Sequence, residues 1–320
     1  YDDKLHLYPV LETRPVRSNN GTITNHVREV SYDYGFDTPL TVVEPNGPRC
    51  AYLADQVKLD ARDPGALEAQ RMFDLIVDAL GTRSALVPGP SGQLPYGALW
   101  ASLDWPAGFD LPRDTLSQRY RLSSTMAGVL PLGKGRGPKE RLAFFWSLKG
   151  SDHARWQDEG LDRWKAQVRK LWPICEPLLD QIARPDQLTF ARYAHRTLEQ
   201  PAEEALIHIG DAWHSASPQL GQGANMALLD AWALSLAMAR NANVGEALKD
   251  AVALRRAHVD IYQWLTWLFT PVYQSDSRVL PFIRDRLVGP LSRLWPANKI
   301  QTAMVAGLVA NPLPALELDF

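Results

Sequence analysis

Residues Gly210–Asn225, GDAWHSASPQLGQGAN, stand between a short apolar run at Ala205–Ile209 and a long helical stretch that reaches about Arg240. A short apolar run bounded by a turn signal reads as a buried strand, so the segment is a strand-to-helix connection. Asp211, at the carboxyl end of that strand, can accept hydrogen bonds from sugar-like hydroxyls, as acidic residues do at nucleotide crevices. Gly221 and Gly223 let the backbone approach a flat ligand closely. Gln222, Ala224 and Asn225 belong to the same turn, and the free N–H groups after Gly223 open the helix. A helix N-terminus favours negative charge by about 0.3–1 kcal/mol when exposed and up to ~2 kcal/mol when partly buried.

Upstream, Phe73–Val77 reads as a second buried strand ending at the turn of Gly81, and Pro88–Pro95 marks a boundary. Beyond it the pattern becomes antiparallel: a strand at Tyr96–Trp105, then a hairpin of Met126–Leu132 and Arg141–Leu148 around the basic GKGRGPKE tip. Trp156, Leu161, Trp164, Val168 and Leu171 keep one face of a helix that Pro173 ends. A helix over Glu176–Ala183 and a strand over Gln187–Arg196 follow. From Ala224 onward the chain reads as helical, with breaks near Pro271, Pro281, Pro290 and Pro296. Residues 1–72 are broken by six prolines, with β-like pieces at Val27–Tyr32 and Leu40–Glu44 and a helix at Gly65–Arg71. The order and period predict an α+β or α/β chain with a sheet-bearing domain inserted between pieces of the first.

The 320 residues are 46% hydrophobic and 22% charged, with 34 basic against 36 acidic residues and a net charge of −2. That balance excludes global disorder and gives no pull toward nucleic acid. Cys50 and Cys175 form neither a disulfide framework nor a metal pair, so a reducing cytoplasm is expected and no metal site. No GxxxxGK[ST], HExxH or GxSxG occurs, which leaves phosphate-loop, zinc and serine-hydrolase chemistry without support. His195 reads as structural. Ile261–Phe269, with Trp295, Arg284, Arg286 and Arg293, either rests on a membrane surface or packs on its own domain.

The pattern GDxxHxxxPxxGxGxNxxxxDA, filled by Gly210, Asp211, His214, Pro218, Gly221, Gly223, Asn225 and Asp230-Ala231, resembles the second FAD-binding motif of the para-hydroxybenzoate hydroxylase-type flavoprotein monooxygenases. The resemblance covers Phe73–Phe320. It implies a three-layer FAD-binding domain with an inserted antiparallel-sheet substrate domain and C-terminal helices. The implied division is 1–95 for the N-terminal part of the FAD domain, 96–200 for the substrate domain, 201–243 for the second FAD motif and 244–320 for the helical tail.

By the same resemblance, Asp211 binds the ribityl chain, Pro218 lies beside the flavin ring, and Gly221–Asn225 face its pyrimidine end. His214 is either a loop-ordering hydrogen bonder or catalytic. A weaker likeness runs over Asp74–Ser84, where Gly81 and Ser84 match but Leu80 stands at an aspartate position and Asp78 at a glycine position; Gly81 alone is carried as a cofactor contact. The implied activity is hydroxylation of an aromatic or unsaturated small molecule by molecular oxygen through a flavin hydroperoxide, with NADH or NADPH as reductant. Substrate is expected between the flavin and the Tyr96–Trp105 and Met126–Leu132 strands, where Tyr96, Trp100 and Trp146 are either lining or core.

Residues 1–72 lack the family's opening strand–GxGxxG–helix unit. Because the chain opens on Tyr1, an incomplete or processed copy is expected, unless residues 1–72 cover the sheet differently. The alternative function is a degenerate relative that serves as a binding or assembly subunit without flavin turnover.

Overall fold

The computed structural model describes residues 75–87, 89, 92–134, 138–292, 294–310, 312 and 314–318, together with the backbone of 11–17, 23–31 and 41–43. The expected helix at 65–71, and Phe73 and Asp74 of the expected strand, lie outside the described residues. The chain divides into two compact units. One comprises residues 1–72 and 85–88, the other 73–84 and 89–320.

In the first unit β1 (Leu11–Arg17), β2 (Ile23–Ser31) and β3 (Thr41–Val43) form an antiparallel sheet in sequence order. The β-like pieces expected at 27–32 and 40–44 correspond to β2 and β3.

The second unit carries the candidate site. β4 (Ile76–Asp78) pairs in parallel with a later strand, as described below. β5 (Gln93–Asp104), β6 (Ser117–Arg121), β7 (Thr125–Gly133), β8 (Arg141–Lys149) and β9 (Thr189–Ala194) make a five-stranded antiparallel sheet in the order β6-β7-β8-β5-β9. Strand period 2 sorts its side chains onto two faces. Leu99, Ala101 and Leu103 of β5, Ala127 and Val129 of β7, and Phe144 and Trp146 of β8 pack under α1 (His153–Leu171), which contributes Trp156, Trp164 and Val168. Ala98, Met126, Phe145 and Tyr193, with Trp100 against them, occupy the other face.

α1 continues past Gly160, which has φ +77 and kinks the helix, and stops at Trp172 before Pro173. The next helix, α2 (Glu176–Leu179), is shorter than the expected Glu176–Ala183. Beyond Leu179 the backbone turns, and Gln187 Oε1 accepts from the Ala183 and Arg184 N–H groups at 2.7 and 2.9 Å. β6, which the sequence pattern did not reveal, alternates half-buried and exposed positions and lacks an apolar run.

After β10 (Arg196–Thr197), β11 (Leu206–His208) lies parallel to β4, pairing Leu206 with Ile76, Ile207 with Val77 and His208 with Asp78. It leads into α3 (Asp211–His214), a 3-10 turn at Pro218–Leu220, and α4 (Gly223–Arg240). α5 (Val244–Tyr273) follows, its N-terminus capped by Asn243, whose side chain accepts from Glu246 N–H at 3.1 Å. α5 ends two residues after Pro271, at the break expected near that proline. Pro281 lies inside α6 (Val279–Ile283), whereas Pro290 sits in the first turn of α7 (Gly289–Leu291) and Pro296 just precedes α8 (Ala297–Val305).

Candidate active site

The loop from β11 to α4 is held by a buried ionic network centred on Asp230 of α4. Asp230 Oδ2 accepts from Gly210 N–H at 2.9 Å and from His214 Nε2 at 2.5 Å; Oδ1 accepts from Arg255 Nε at 2.8 Å. Arg255 in turn donates to His258 Nδ1 at 2.7 Å, and His258 Nε2 meets the Gly307 carbonyl at 3.0 Å. All four side chains are buried. With Nδ1 accepting, the proton on His258 belongs on Nε2, and the ring is neutral. Burial and the adjacent guanidinium push its pKa down to about 4. Burial alone would raise the Asp230 carboxyl, but the bonds and charges of His214 and Arg255 outweigh it and hold the group below its ordinary value.

Gly210 is required at its position. Its φ is +57, and a Cβ there would stand 2.9 Å from the Ala227 Cβ. α5 clamps the loop from the other side. Gln263 Nε2 donates to the His214 and Ser215 carbonyls at 2.8 and 3.3 Å, and the Ser217 and Thr270 hydroxyls share a 2.6 Å bond. His214 thus ties the loop to Asp230 and also borders the cavity described below.

A second buried carboxylate organises the end of β4. Asp78 Oδ2 accepts from Ser84 Oγ at 2.6 Å and His208 Nδ1 at 2.6 Å, while Oδ1 accepts from Leu80 N–H at 3.0 Å. Burial pushes the Asp78 carboxyl up, but these three donors more than offset it and its pKa is lowered. Asp78 thus shapes the turn through Gly81, whose φ is +82 and whose bare Cα faces Asp211: a Cβ there would lie 4.0 Å from the Asp211 Cβ.

Above these two supports a cavity of about 410 Å³ opens. Its floor includes Asp211, Pro218, Gly221, Gln222 and Gly223; its walls come from Ala191–Ala194 of β9 and from Tyr262, Gln263 and Thr266 of α5. Asp211 is reached by solvent from this cavity, yet the surrounding protein raises its carboxyl pKa, against the pull of His214 and the Thr82 hydroxyl. A carboxylate at the mouth of such a cavity can accept from hydroxyl donors brought by a ligand.

Among the expected site residues, Asp211, Pro218, Gly221, Gln222 and Gly223 converge on the cavity, and Gly81 stands beside Asp211. Ala224 is exposed in the first turn of α4, Asn225 donates to Gln222 Oε1 at 2.8 Å, and Gly210 is engaged by Asp230. No residue of β5 or β7 lines this cavity, which is walled by β9 and α5. Tyr96 donates to Asp276 Oδ1 at 2.8 Å, Trp100 stacks on Phe145 with centroids 4.8 Å apart, and Trp146 packs edge-on to Trp164. His195 is half-buried; its ring meets the Thr270 hydroxyl at 3.5 Å and its backbone N–H donates to the Gly92 carbonyl at 2.9 Å. Among the described residues no cluster of His, Cys, Asp and Glu suits a metal.

Arg255 and His258 were not singled out in the sequence, and Asp78 stood out there only as a departure at a glycine position. The available signal for Asp78 was a carboxylate ending one apolar strand and a histidine, His208, ending the other.

Residues 114–260 match a family described as FAD binding domain. The chain is 30% identical over 140 residues to 3-(3-hydroxy-phenyl)propionate/3-hydroxycinnamic acid hydroxylase 2 of Burkholderia vietnamiensis, a match covering 42% of this chain and 25% of that protein. The chain thus aligns with about a quarter of the length of the curated relatives it matches. Klebsiella pneumoniae HpxO, solved with FAD and uric acid, superposes with a TM-score of 0.57 at 18% identity, over 89% of this chain and 67% of HpxO. Pseudomonas aeruginosa PqsL, solved with 2-aminobenzoylacetate, gives 0.51 at 15% identity, over 85% and 65%. The motif at 210–231 and the sheet order agree with these likenesses: residues 114–260 match the FAD binding domain family, and the chain shares the fold of HpxO.

Proposed function

We propose that this chain carries the flavin-facing and substrate-facing parts of an FAD-dependent monooxygenase that hydroxylates an aromatic or unsaturated small molecule. The overall reaction consumes O2 and NADH or NADPH with a proton, places one oxygen atom in a C–H bond of the substrate and releases the other as water. The observation that carries this reading is the cavity of about 410 Å³ whose floor is the Asp211–Gly223 loop and whose walls are β9 and α5.

The residues present fit the flavin end of such a cofactor. At Gly221, φ is +65 and no atom lies within 4 Å of where a Cβ would project, so the backbone is bare where a flat ring edge would approach. Asp211 would accept from the ribityl hydroxyls, and the first N–H groups of α4, with Pro218 beside them, would meet the pyrimidine edge. Bound FAD supplies the electron transfer and oxygen activation. The protein's part is positioning, water exclusion and charge stabilisation by N–H dipoles fixed before the reaction begins. The Asp230 network anchors the start of the loop that leads into them.

In this reading 1–95, 96–200, 201–243 and 244–320 serve as FAD-domain N-terminal part, substrate domain, second FAD motif and helical tail. The working compartment is the cytoplasm.

The test is flavin retention. Purified protein is incubated with FAD, desalted and its visible spectrum recorded for wild type and Asp211→Ala. Wild type should keep flavin bands and the variant lose most of them, with thermal stability unchanged. A colourless wild type overturns the holoenzyme reading in favour of a non-turnover relative, and an unchanged variant overturns the role of Asp211.

A further inference from the structure

We propose that residues 277–310 form a docking surface for an anionic lipid bilayer, with their short helices lying in the headgroup plane. The apolar side chains here are turned outward. Val279, Phe282, Leu287, Leu291, Trp295 and Ile300 are each more than half exposed, Trp295 at 79%. The π-helical turn Arg284–Val288, α7 and α8 bury no residue at all. Helices of a water-facing domain hide an apolar stripe on their own core. Contiguous apolar exposure marks an interaction site.

Charge decides which partner. Residues 277–310 hold Arg278, Arg284, Arg286, Arg293 and Lys299 against Asp285 alone, a net +4 in a chain whose total is −2. Arg284 is engaged within the fold, pairing with Asp285 at 2.7 Å and lying 5.0 and 5.3 Å from the Tyr120 and Tyr273 ring centroids. Arg278, Arg286 and Lys299 are exposed and have no acidic partner among the described residues. Arg286 lies over the Phe282 ring, so cation and apolar group project together. A second copy on this face would set a basic surface against itself, whereas an anionic bilayer complements it.

Tryptophan suits the headgroup level, being apolar in body with one polar N–H. Trp264 and Trp267 of α5 are also exposed, at 58% and 65%. Their neighbours Ile261, Leu265 and Phe269 pack inward, so the segment expected to do one or the other has one face on its domain and one outside. Among the described residues no helix is long and apolar enough to cross a membrane, which favours lying on the surface over spanning it.

The experiment is flotation of the full chain with vesicles of phosphatidylcholine alone or with 30 mol% phosphatidylserine. Binding should require phosphatidylserine and fall in 1 M NaCl, where the screening length is only about 3 Å. Each surface cation contributes about fivefold, so Arg278→Gln/Arg286→Gln/Lys299→Gln should weaken binding roughly 100-fold. Phe282→Ser/Trp295→Ser should weaken it at least about tenfold. These exposed positions should leave the far-UV spectrum unchanged. Absence of flotation, or unaltered flotation by the triple variant, overturns the proposal. So does a concentration-dependent dimer abolished by Phe282→Ser/Trp295→Ser, which would make the face a self-interface.

Discussion

Replacing Arg255 by Met tests whether the cofactor loop stands on the Asp230 network. The substitution keeps most of the side-chain volume but removes the guanidinium. Asp230 then retains two donors, Gly210 N–H and His214 Nε2, and loses the cation on Oδ1. Breaking a buried pair by removing one partner costs about 3–5 kcal/mol, because the remaining charge stays desolvated. At about 2–4 °C per kcal/mol for a unit of this size, the lower figure predicts a fall of roughly 6–12 °C in melting temperature at pH 7.

The pH dependence has a definite sign. In the wild type the Asp230 pKa is lowered below 3.8, so its contribution is fully present above that value and fades only as pH falls through the depressed folded pKa. In Arg255→Met only the Gly210 N–H and His214 are left to oppose burial, and the folded pKa is expected to rise above its ordinary value. That variant therefore loses stability as pH rises through its raised pKa and regains it as pH falls toward 4. Calorimetry of both proteins between pH 7 and 4 should show the gap in melting temperature shrinking with acidity. Asp230→Asn/Arg255→Met, with no charge left to bury, should recover part of the loss at pH 7. A constant gap, or a double variant as unstable as the sum of the singles, would refute the reasoning.

Three further substitutions separate support from contact. His214→Ala removes one of three donors to Asp230, so about 1–3 kcal/mol of stability should be lost while flavin is retained; normal flavin content with abolished turnover would make His214 catalytic. Gly221→Ala forces a side chain into φ +65, a strain of about 1–2 kcal/mol, and its methyl enters open cavity space; flavin retention should drop more than melting temperature, and the reverse order would remove Gly221 from the binding wall. Ser84→Ala strips Asp78 Oδ2 of a 2.6 Å donor and should lower stability by about 1–3 kcal/mol in thermal unfolding; no change would mean the turn at Gly81 does not depend on Asp78.

The elements legible in the sequence were those whose signal is local. β5, β7, β8 and α1 carry long apolar periodicities, and α4 begins after a run of glycines that admits few other conformations. β6 was not legible because Ser117–Arg121 has no apolar alternation; its place at the sheet edge comes from pairing with β7. The floor of the cavity was legible because Asp211, Pro218, Gly221 and Gly223 fall within thirteen consecutive positions. Its walls were not, since Ala191–Ala194 lie on a different strand and Tyr262, Gln263 and Thr266 on a helix some 40 residues downstream. Inside a helix pattern Arg255 and His258 read as ordinary polar positions. Only the packing of α5 on α4 turns them inward.

Distance from the cavity explains why the strongest electrostatics of this unit are not at its reactive surface. Asp230, Arg255 and His258 do not line the cavity, and of the Asp230 network only His214 reaches its wall. Asp211 alone presents a carboxylate to the floor. A bound flavin that carries negative charge when reduced would be repelled by Asp230 at close range, yet the loop needs a strong acceptor to fix Gly210 and His214. Burying that acceptor behind α3 and neutralising it with Arg255 meets both demands. The loop leading into α4 is anchored at Gly210 and His214, and the field at the cavity stays free of a second uncompensated anion. A neutral His258 follows from the same arrangement, because a second cation beside Arg255 would leave the cluster with excess positive charge in a site closed to water.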